Sequence, residues 1–261
     1  MKISKLLPLL TLLFLSTTQA AIINKEINYS ANGTVMKGMI SYDGNIETKR
    51  PGILVVHEWW GHNDYARIRA EMLARQGYTA LAVDMYGDGQ TASHPDDAGK
   101  FSKAVASNMP LAKARFEAAM KVLQDHPTVE KDDIAAIGYC FGGGIVLNMA
   151  RMGVDLKGVA SFHGSLSSAV SEPQPIKAKI RVFNGADDPF VKAEQVDALK
   201  KEMDAADVDF RFFNYPGAKH SFTNPGANNF GEKFGLPLEY NAEADKASWD
   251  ETQKFFKEIF R

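Results

Sequence analysis

The sequence is short of cysteine and of clustered basic residues. Its 261 residues include a single cysteine, and 30 lysines and arginines face 32 acidic residues. One cysteine cannot form an internal disulfide or a cysteine-based metal cage. A mildly acidic chain without basic clusters is also a poor match for nucleic acid, because neutralising phosphates needs clustered Lys and Arg. We therefore expect no disulfide framework and no nucleic-acid partner.

Long apolar runs are also scarce, apart from one at the N-terminus. Lys2 and Lys5 precede an apolar segment from Leu6 to Leu15, and Thr18-Gln19-Ala20 follows with small residues at both cleavage positions. This layout is typical of a secretory signal peptide cleaved after Ala20. The apolar run is about half as long as a membrane-spanning helix, which makes an uncleaved anchor the weaker alternative. We expect residues 1–20 to be removed and the protein to be periplasmic or secreted, without a stable membrane anchor.

The remaining residues, 21–261, have the composition of a globular protein. A hydrophobic share of 45% is too high for a disordered chain. The length fits one large α/β domain, and we see no repeat, linker or low-complexity tract. We therefore expect a single domain over residues 21–261. These patterns do not fix the oligomeric state, and we expect a monomer.

Apolar runs and helical stripes alternate along this domain. Residues 22–29 and 34–42 alternate around Asn32-Gly33, which is a strong hairpin signal. Further strands are predicted at residues 52–57, 79–83, 134–138, 157–162, 180–184 and 209–214, with helices between most of them. This order predicts an α/β fold: a mostly parallel central sheet, an N-terminal antiparallel hairpin, and helices on both faces.

Two stretches, residues 86–110 and 223–239, show no clear periodicity. We interpret both as long irregular loops that follow strands, at the edge of the sheet where ligands bind in open α/β folds. Two interpretations stay open for them: they are substrate-facing lids, or they are mobile surface loops without a role.

The strongest chemical motif is Gly138-Tyr139-Cys140-Phe141-Gly142, at the junction of a predicted strand and a helix. Its spacing is that of a nucleophile elbow with cysteine in place of serine. Glycine is required where a side chain would collide with the neighbouring strand or helix. The turn would hold the Cys140 thiol at a helix N-terminus, where the helix dipole favours an anionic sulfur. We therefore assign Cys140 as the nucleophile, although a lone cysteine elsewhere is usually a small buried residue.

An acid and a histidine follow in the order of a hydrolase triad. Asp187 and Asp188 come directly after one predicted strand, and His220 follows the last one. An imidazole can take the thiol proton, and a buried carboxylate can fix its tautomer. His163 also follows a strand, and we assign it a packing role. His57 and His62 are five residues apart at a strand end, which does not suit zinc, so we expect no metal and no cofactor.

Together with the motifs above, the sequence resembles the dienelactone hydrolase family over nearly the whole domain. The landmarks are His57-Glu58-Trp59-Trp60-Gly61, Asp84-Met85-Tyr86-Gly87, Gly138-Tyr139-Cys140-Phe141-Gly142-Gly143, the Asp188 loop and Gly217-Ala218-Lys219-His220-Ser221-Phe222. The resemblance implies an α/β-hydrolase fold and a Cys140, Asp188 and His220 triad, with Asp188 preferred over Asp187.

The resemblance also assigns roles around the triad. It implies that Glu58 gates the thiol by holding it away from His220 at rest. The backbone amides of Trp59 and Phe141 would form the oxyanion hole. The chemistry of Glu58 supports the same role independently of the resemblance. A nearby carboxylate disfavours the thiolate form of Cys140 and so protects the thiol from oxidation. The alternative is that Glu58 is a solvated loop carboxylate. We expect Trp60, Tyr86 and Ser221 in the wall of the pocket.

The sequence departs from the family where the named enzyme carries two arginines for its substrate carboxylate. Gly87-Asp88-Gly89 and Asn224 stand at those places. Without the cations, charge-assisted pairing with an anionic dienelactone is lost. We therefore expect this protein to share the reaction class of the family rather than the substrate of its named enzyme. We expect a cysteine-dependent hydrolase of a small ester or lactone that works through an acyl-enzyme. The alternatives are an exported small-molecule-binding protein with a vestigial triad, and a peptidase or acyl transferase on the same scaffold.

Overall fold

A computed structural model describes residues 20–261. The predicted signal peptide lies outside the described residues except for Ala20, so its cleavage and the export of the protein stay predictions. The described strands are β1 (Ile22–Ala31), β2 (Thr34–Asp43), β3 (Arg50–Val56), β4 (Thr79–Val83), β5 (Val129–Tyr139), β6 (Gly158–Phe162), β7 (Lys179–Gly185) and β8 (Phe210–Tyr215). The helices are α1 (Asp64–Ala74), α2 (Pro95–Ala106), α3 (Met109–Gln124), α4 (Phe141–Arg151), α5 (Ala193–Ala205), α6 (Ala227–Phe234) and α7 (Ala242–Ile259).

All eight strands belong to one sheet, in the order β1-β2-β4-β3-β5-β6-β7-β8. β1 pairs with β2 and β2 pairs with β4 in antiparallel register. Every other pairing is parallel. The predicted α/β architecture with an antiparallel N-terminal hairpin at one edge is therefore confirmed. Parallel pairing brings the carboxyl ends of β3 to β8 to one edge of the sheet, where open α/β folds place their ligands.

The sheet is buried on both faces, as its apolar strands require. β4 and β6 are fully buried from end to end. The apolar cluster on one face joins the sheet to α3, α4 and α5. The cluster on the other face joins it to α1 and α7. Burial of both faces explains why these strands read as continuous apolar runs in the sequence.

The prediction of two long irregular loops is wrong in part, because each contains a helix. α2 lies within residues 86–110, and α6 lies within residues 223–239. α2 has a short apolar stripe of buried Ala98 and Val105 and partly buried Phe101. Its start was also signalled: His94 caps the helix, Pro95 takes the first position, and two acidic residues follow. α6 has eight residues, and its short stripe consists of Ala227, Phe230 and Phe234.

Among the described residues, no helix is long and apolar enough to cross a lipid bilayer.

Glycines allow α4 to approach β3 and β5 closely. A Cβ on Gly138 would lie 2.1 Å from the carbonyl oxygen of Gly142, and a Cβ on Gly142 would lie 2.3 Å from that of Val56. Both clashes are with backbone, so no side-chain movement relieves them. The flanking positions of the elbow therefore require glycine, as the sequence predicted.

We expect Gly142→Ala to lower the free energy of unfolding by at least about 3 kcal/mol, because the added methyl group must push α4 away from β3. Gly99→Ala in α2 is the matched control, since a Cβ there meets nothing within 4 Å. It should raise stability by about 0.4–1 kcal/mol by restricting the unfolded chain. Urea denaturation of both variants measures the difference. If the two variants had equal free energies of unfolding, α4 and β3 would not be tightly packed at Gly142.

Candidate active site

The predicted site residues lie at the carboxyl ends of neighbouring strands. Glu58 follows β3, Cys140 follows β5, and His163 follows β6. Asp188 follows β7 and His220 follows β8. Residues distant in sequence are therefore brought together by the parallel pairing alone.

Cys140 occupies a strained turn between β5 and α4. Its φ of 52° and ψ of −113° lie outside the regions that a side chain ordinarily allows. The turn places the residue at the N-terminus of α4, where the first amide groups have no partner within the helix. The Gly142 amide donates to the carbonyl oxygen of His57 at 3.1 Å. The start of α4 is thus fixed to the end of β3.

Three predicted side chains form a continuous hydrogen-bonded chain. His220 Nε2 lies 3.1 Å from Cys140 Sγ, and His220 Nδ1 lies 2.8 Å from Asp188 Oδ2. Asp188 is 4% exposed, whereas Asp187 faces solvent. The Phe190 amide donates to Asp188 Oδ1 at 2.9 Å, which leaves Oδ2 for the imidazole. This geometry lets the imidazole accept the thiol proton while the carboxylate stabilises the charged ring.

Charge governs the protonation of His220. Burial of the ring disfavours its charged form, but attraction to Cys140 and hydrogen bonds to Asp188 and Cys140 outweigh that cost and raise the pKa of His220 to about 10. A protonated His220 ring is thereby favoured in the resting site.

Glu58 is buried, not solvated, and its carboxylate is bound by residues of the loop that carries His220. It is 1% exposed. Ser221 Oγ donates to its Oε1 at 2.8 Å, and Asn224 Nδ2 donates to its Oε2 at 2.6 Å. Burial raises the pKa of Glu58, and these two hydrogen bonds reduce the rise. Asn224 thus holds the carboxylate, and the thiol contacts His220 instead.

The peptide between Glu58 and Trp59 is held from two sides. His57 Nδ1 donates to the Glu58 carbonyl oxygen at 2.6 Å, and the Gly61 amide donates to the same oxygen at 3.1 Å. A trans peptide points its N–H opposite to its C=O, so these bonds also fix the direction of the Trp59 amide. The Met85 amide donates to His57 Nε2 at 3.2 Å, which requires a neutral ring. Burial lowers the pKa of His57 to about 4, in agreement with that tautomer.

An open cavity of about 540 Å³ lies over Cys140 and His220. Its wall is mostly apolar and includes Trp59, Phe141, Phe190, Val191, Leu236 and Leu238. Phe190 is 54% exposed and packs edge-on against His220, with ring centroids 4.9 Å apart. A wall of this kind suits a small, partly apolar molecule.

None of the three residues expected in the pocket wall lines this cavity. Trp60 is 1% exposed and stacks on Phe230 of α6. Tyr86 lies behind the wall, where its hydroxyl donates to the Trp59 carbonyl oxygen at 3.0 Å. Ser221 is bound to Glu58. Periodicity does not reveal which way a loop side chain points, so the sequence could not separate wall residues from those supporting the wall.

Sequence reasoning missed several residues around the cavity. Lys103 of α2 contributes the one ammonium group among the lining residues, and Leu238 joins the wall through a bridge to His220. Both lie in or near the segments read as loops. Asp88 is not among the residues that line the cavity.

No cluster of three or more His, Cys, Asp or Glu side chains suited to a metal ion occurs in residues 20–261. Burial lowers the pKa of His62 to about 3, and charge repulsion from His57 and Arg67 adds to that shift.

Comparison with known proteins agrees with this fold. A dienelactone hydrolase-like promiscuous phosphotriesterase from metagenomic libraries is 33% identical, with a TM-score of 0.88 over 92% of this chain and 100% of its own. A dienelactone hydrolase from Anabaena variabilis shares the fold at 20% identity and a TM-score of 0.60, over 84% of this chain and 99% of its own. Protein usf of Aquifex pyrophilus is 27% identical over 89% of this chain and 97% of its own.

The fold and its relatives define an α/β hydrolase. More narrowly, the model of the dienelactone hydrolase family matches residues 37–260, and the chain belongs to that family.

The raised pKa of His220 depends on the thiol beside it. We expect Cys140→Ala to lower the pKa of His220 from about 10, because the attracting charge is removed. A pKa raised from 6.5 stabilises the fold fully below pH 6.5, and this stabilisation is lost as the pH rises through about 10. In the variant the loss should be smaller and should be complete at lower pH. NMR titration of the His220 ring, with Ser168→Ala as a surface control, measures the shift. An unchanged pKa would show that Cys140 does not set it.

The buried Glu58 gives a second prediction. Asn224→Leu removes one of its two donors, so the free energy of unfolding should fall by about 1–3 kcal/mol at pH 8. The loss should be smaller near pH 5, because the pKa of Glu58 is already raised and the variant raises it further. Chemical denaturation at both pH values measures the effect. In a Glu58→Gln background the pH dependence should disappear; its persistence would assign it to another group.

Proposed function

We propose that the protein is a cysteine-dependent hydrolase of small esters or lactones that works through an acyl-enzyme. The hydrogen-bonded chain from Cys140 through His220 to Asp188, at the floor of an apolar cavity, carries this proposal. Membership of the dienelactone hydrolase family supports the hydrolase class.

In the first half-reaction, Cys140 Sγ attacks the carbonyl carbon as a thiolate. The C–S bond forms, and the charge on the carbonyl oxygen is stabilised by the amides of Trp59 and Phe141. The bond to the leaving oxygen then breaks, and that oxygen takes the proton from His220. In a lactone the same step opens the ring and leaves the hydroxyl on the acyl group.

In the second half-reaction, neutral His220 removes a proton from water as the water attacks the thioester carbon. The C–S bond breaks, and the thiolate of Cys140 returns to the imidazolium. Asp188 keeps Nδ1 protonated throughout, so that Nε2 faces the reacting atoms. No cofactor is needed for these steps to balance.

The contacts of Glu58 argue against a gate that blocks the thiol in this arrangement. The carboxylate is held by Ser221 and Asn224, and the thiol already contacts His220. We propose that Glu58 orders the loop carrying His220, whose next residue is Ser221. The idea of an exported binding protein with a vestigial triad is less well supported, because the triad geometry is complete.

Neutral phosphotriesters form a second candidate class of substrate. The 33% identical relative is described as a promiscuous phosphotriesterase. The same thiolate could attack phosphorus, forming the P–S bond and releasing an aryloxide that takes the proton from His220. Water would then cleave the P–S bond to give a phosphodiester.

Hydrolysis of aryl esters and of dihydrocoumarin tests the proposal. Cys140→Ala and His220→Ala should each lower kcat/KM by at least about a thousandfold, since the triad acts as a unit. Ser168→Ala, on the surface, should match the wild type. Ester hydrolysis at the wild-type rate in Cys140→Ala would contradict the assignment. A triaryl phosphate in the same assay tests the second class.

A further inference from the structure

His163 is a buried histidine that the proposed reaction does not use. It is 1% exposed and lies directly after β6, beside the elbow. The Cys140 amide donates to His163 Nδ1 at 3.1 Å and to the Phe162 carbonyl oxygen at 3.0 Å. The residue that carries the thiol is therefore bound twice to the end of β6.

These bonds determine the tautomer of His163. An Nδ1 atom that accepts from an amide carries no proton, so a neutral ring must carry its proton on Nε2. His163 Nε2 lies 2.8 Å from Thr223 Oγ1 and donates to it. Burial and the proximity of His220 and Arg69 lower the pKa of His163 well below its ordinary value, which agrees with a neutral ring.

Thr223 connects this histidine to the loop that carries His220. It lies three residues after His220, and its hydroxyl is 2.6 Å from the Tyr65 hydroxyl. Arg69 donates to the Tyr65 hydroxyl at 3.2 Å and to the Thr223 carbonyl oxygen at 2.6 Å. Thr223 is completely buried, so none of these groups can exchange its partner for water.

The connected segments are all strained. Cys140, His163 and Ser221 have φ angles of 52°, 38° and 58°, in the left-handed region that side chains rarely adopt. Such conformations persist only where the surroundings fix them from several directions. The ring of His163 supplies one such restraint, since it contacts the elbow at one nitrogen and the His220 loop at the other. It also packs against the His220 ring, with centroids 5.3 Å apart.

We propose that His163 is a positioning residue that holds the Cys140 elbow and the His220 loop at a fixed separation. Its Nδ1 accepts from the Cys140 amide while its Nε2–H is donated to Thr223. The distance between Sγ and Nε2 of His220 then depends on a bridge behind the site, outside the triad. This inference rests on the proposed function for its kinetic consequence, but not for its effect on the thiol.

Thr223→Val tests the bridge with little change of volume, and His163→Leu removes both of its hydrogen bonds. We expect kcat for ester hydrolysis to fall by about tenfold or more in both, with KM changed by no more than about twofold, because a small misplacement of reacting atoms slows chemistry. The rate at which iodoacetamide alkylates Cys140 should fall together with kcat. His163→Asn retains a short acceptor facing the Cys140 amide but loses the donor to Thr223. It should therefore recover only the part of each rate that depends on the Cys140 end of the bridge.

Thr252→Val is the matched control, since Thr252 is a buried threonine in α7 whose hydroxyl bonds only to the Ser248 carbonyl oxygen. It should lower Tm without changing kcat or the alkylation rate. The proposal is overturned, and His163 is a packing residue, in either of two cases. In the first, Thr223→Val and His163→Leu lower Tm without changing kcat or the alkylation rate, as Thr252→Val does. In the second, kcat and the alkylation rate fall as far in His163→Asn as in His163→Leu. If the wild type hydrolyses no ester, the proposed function fails, and the alkylation rates alone still decide the role of His163.

Discussion

The close approach of α4 to β3 is the constraint on which the site depends. Gly138 and Gly142 leave no room for a side chain, and Cys140 between them is forced into a left-handed turn. The turn presents the thiol at the helix N-terminus and at the edge of the sheet where the other strands end. The strain at Cys140 is offset by tight backbone contacts and by the hydrogen bonds that its amide donates to acceptors at the end of β6. The position of the thiol is therefore set by packing.

Three buried histidines around that turn differ in how easily they are protonated. One has a raised pKa, and the other two are kept neutral. His220 lies between a thiol and a carboxylate, and its pKa is raised. His57 and His163 each accept from a backbone amide, and their pKa values are lowered by burial. The neutral rings can therefore fix peptide groups near Cys140 without competing with His220 for a proton. In the proposed mechanism, a single residue type thus serves for proton transfer and for positioning, according to its partners.

The sequence predicted the sheet well, because strands buried on both faces read as uninterrupted apolar runs. It failed for α2 and α6, whose apolar stripes of three residues are short and lie within polar, glycine-containing segments. The glycine spacing around Cys140 pointed to the elbow, and the order of Asp188 and His220 pointed to their strand ends. The contacts of Glu58, Trp60 and Ser221 could not be predicted, since they depend on side-chain directions in loops. His163 was assigned to packing, because no spacing rule signals a histidine that accepts from a backbone amide.

Mass spectrometry of the intact protein during exposure to small aryl esters and dihydrocoumarin tests the central claim most directly. If an acyl-enzyme forms on Cys140, the protein should gain the mass of the acyl group. This adduct should appear and decay in the wild type and should be absent in His220→Ala. A thiol-reactive probe run in parallel should label Cys140 faster than free cysteine. No adduct with any ester, together with a thiol no more reactive than free cysteine, would contradict the account and favour a binding protein on a hydrolase scaffold.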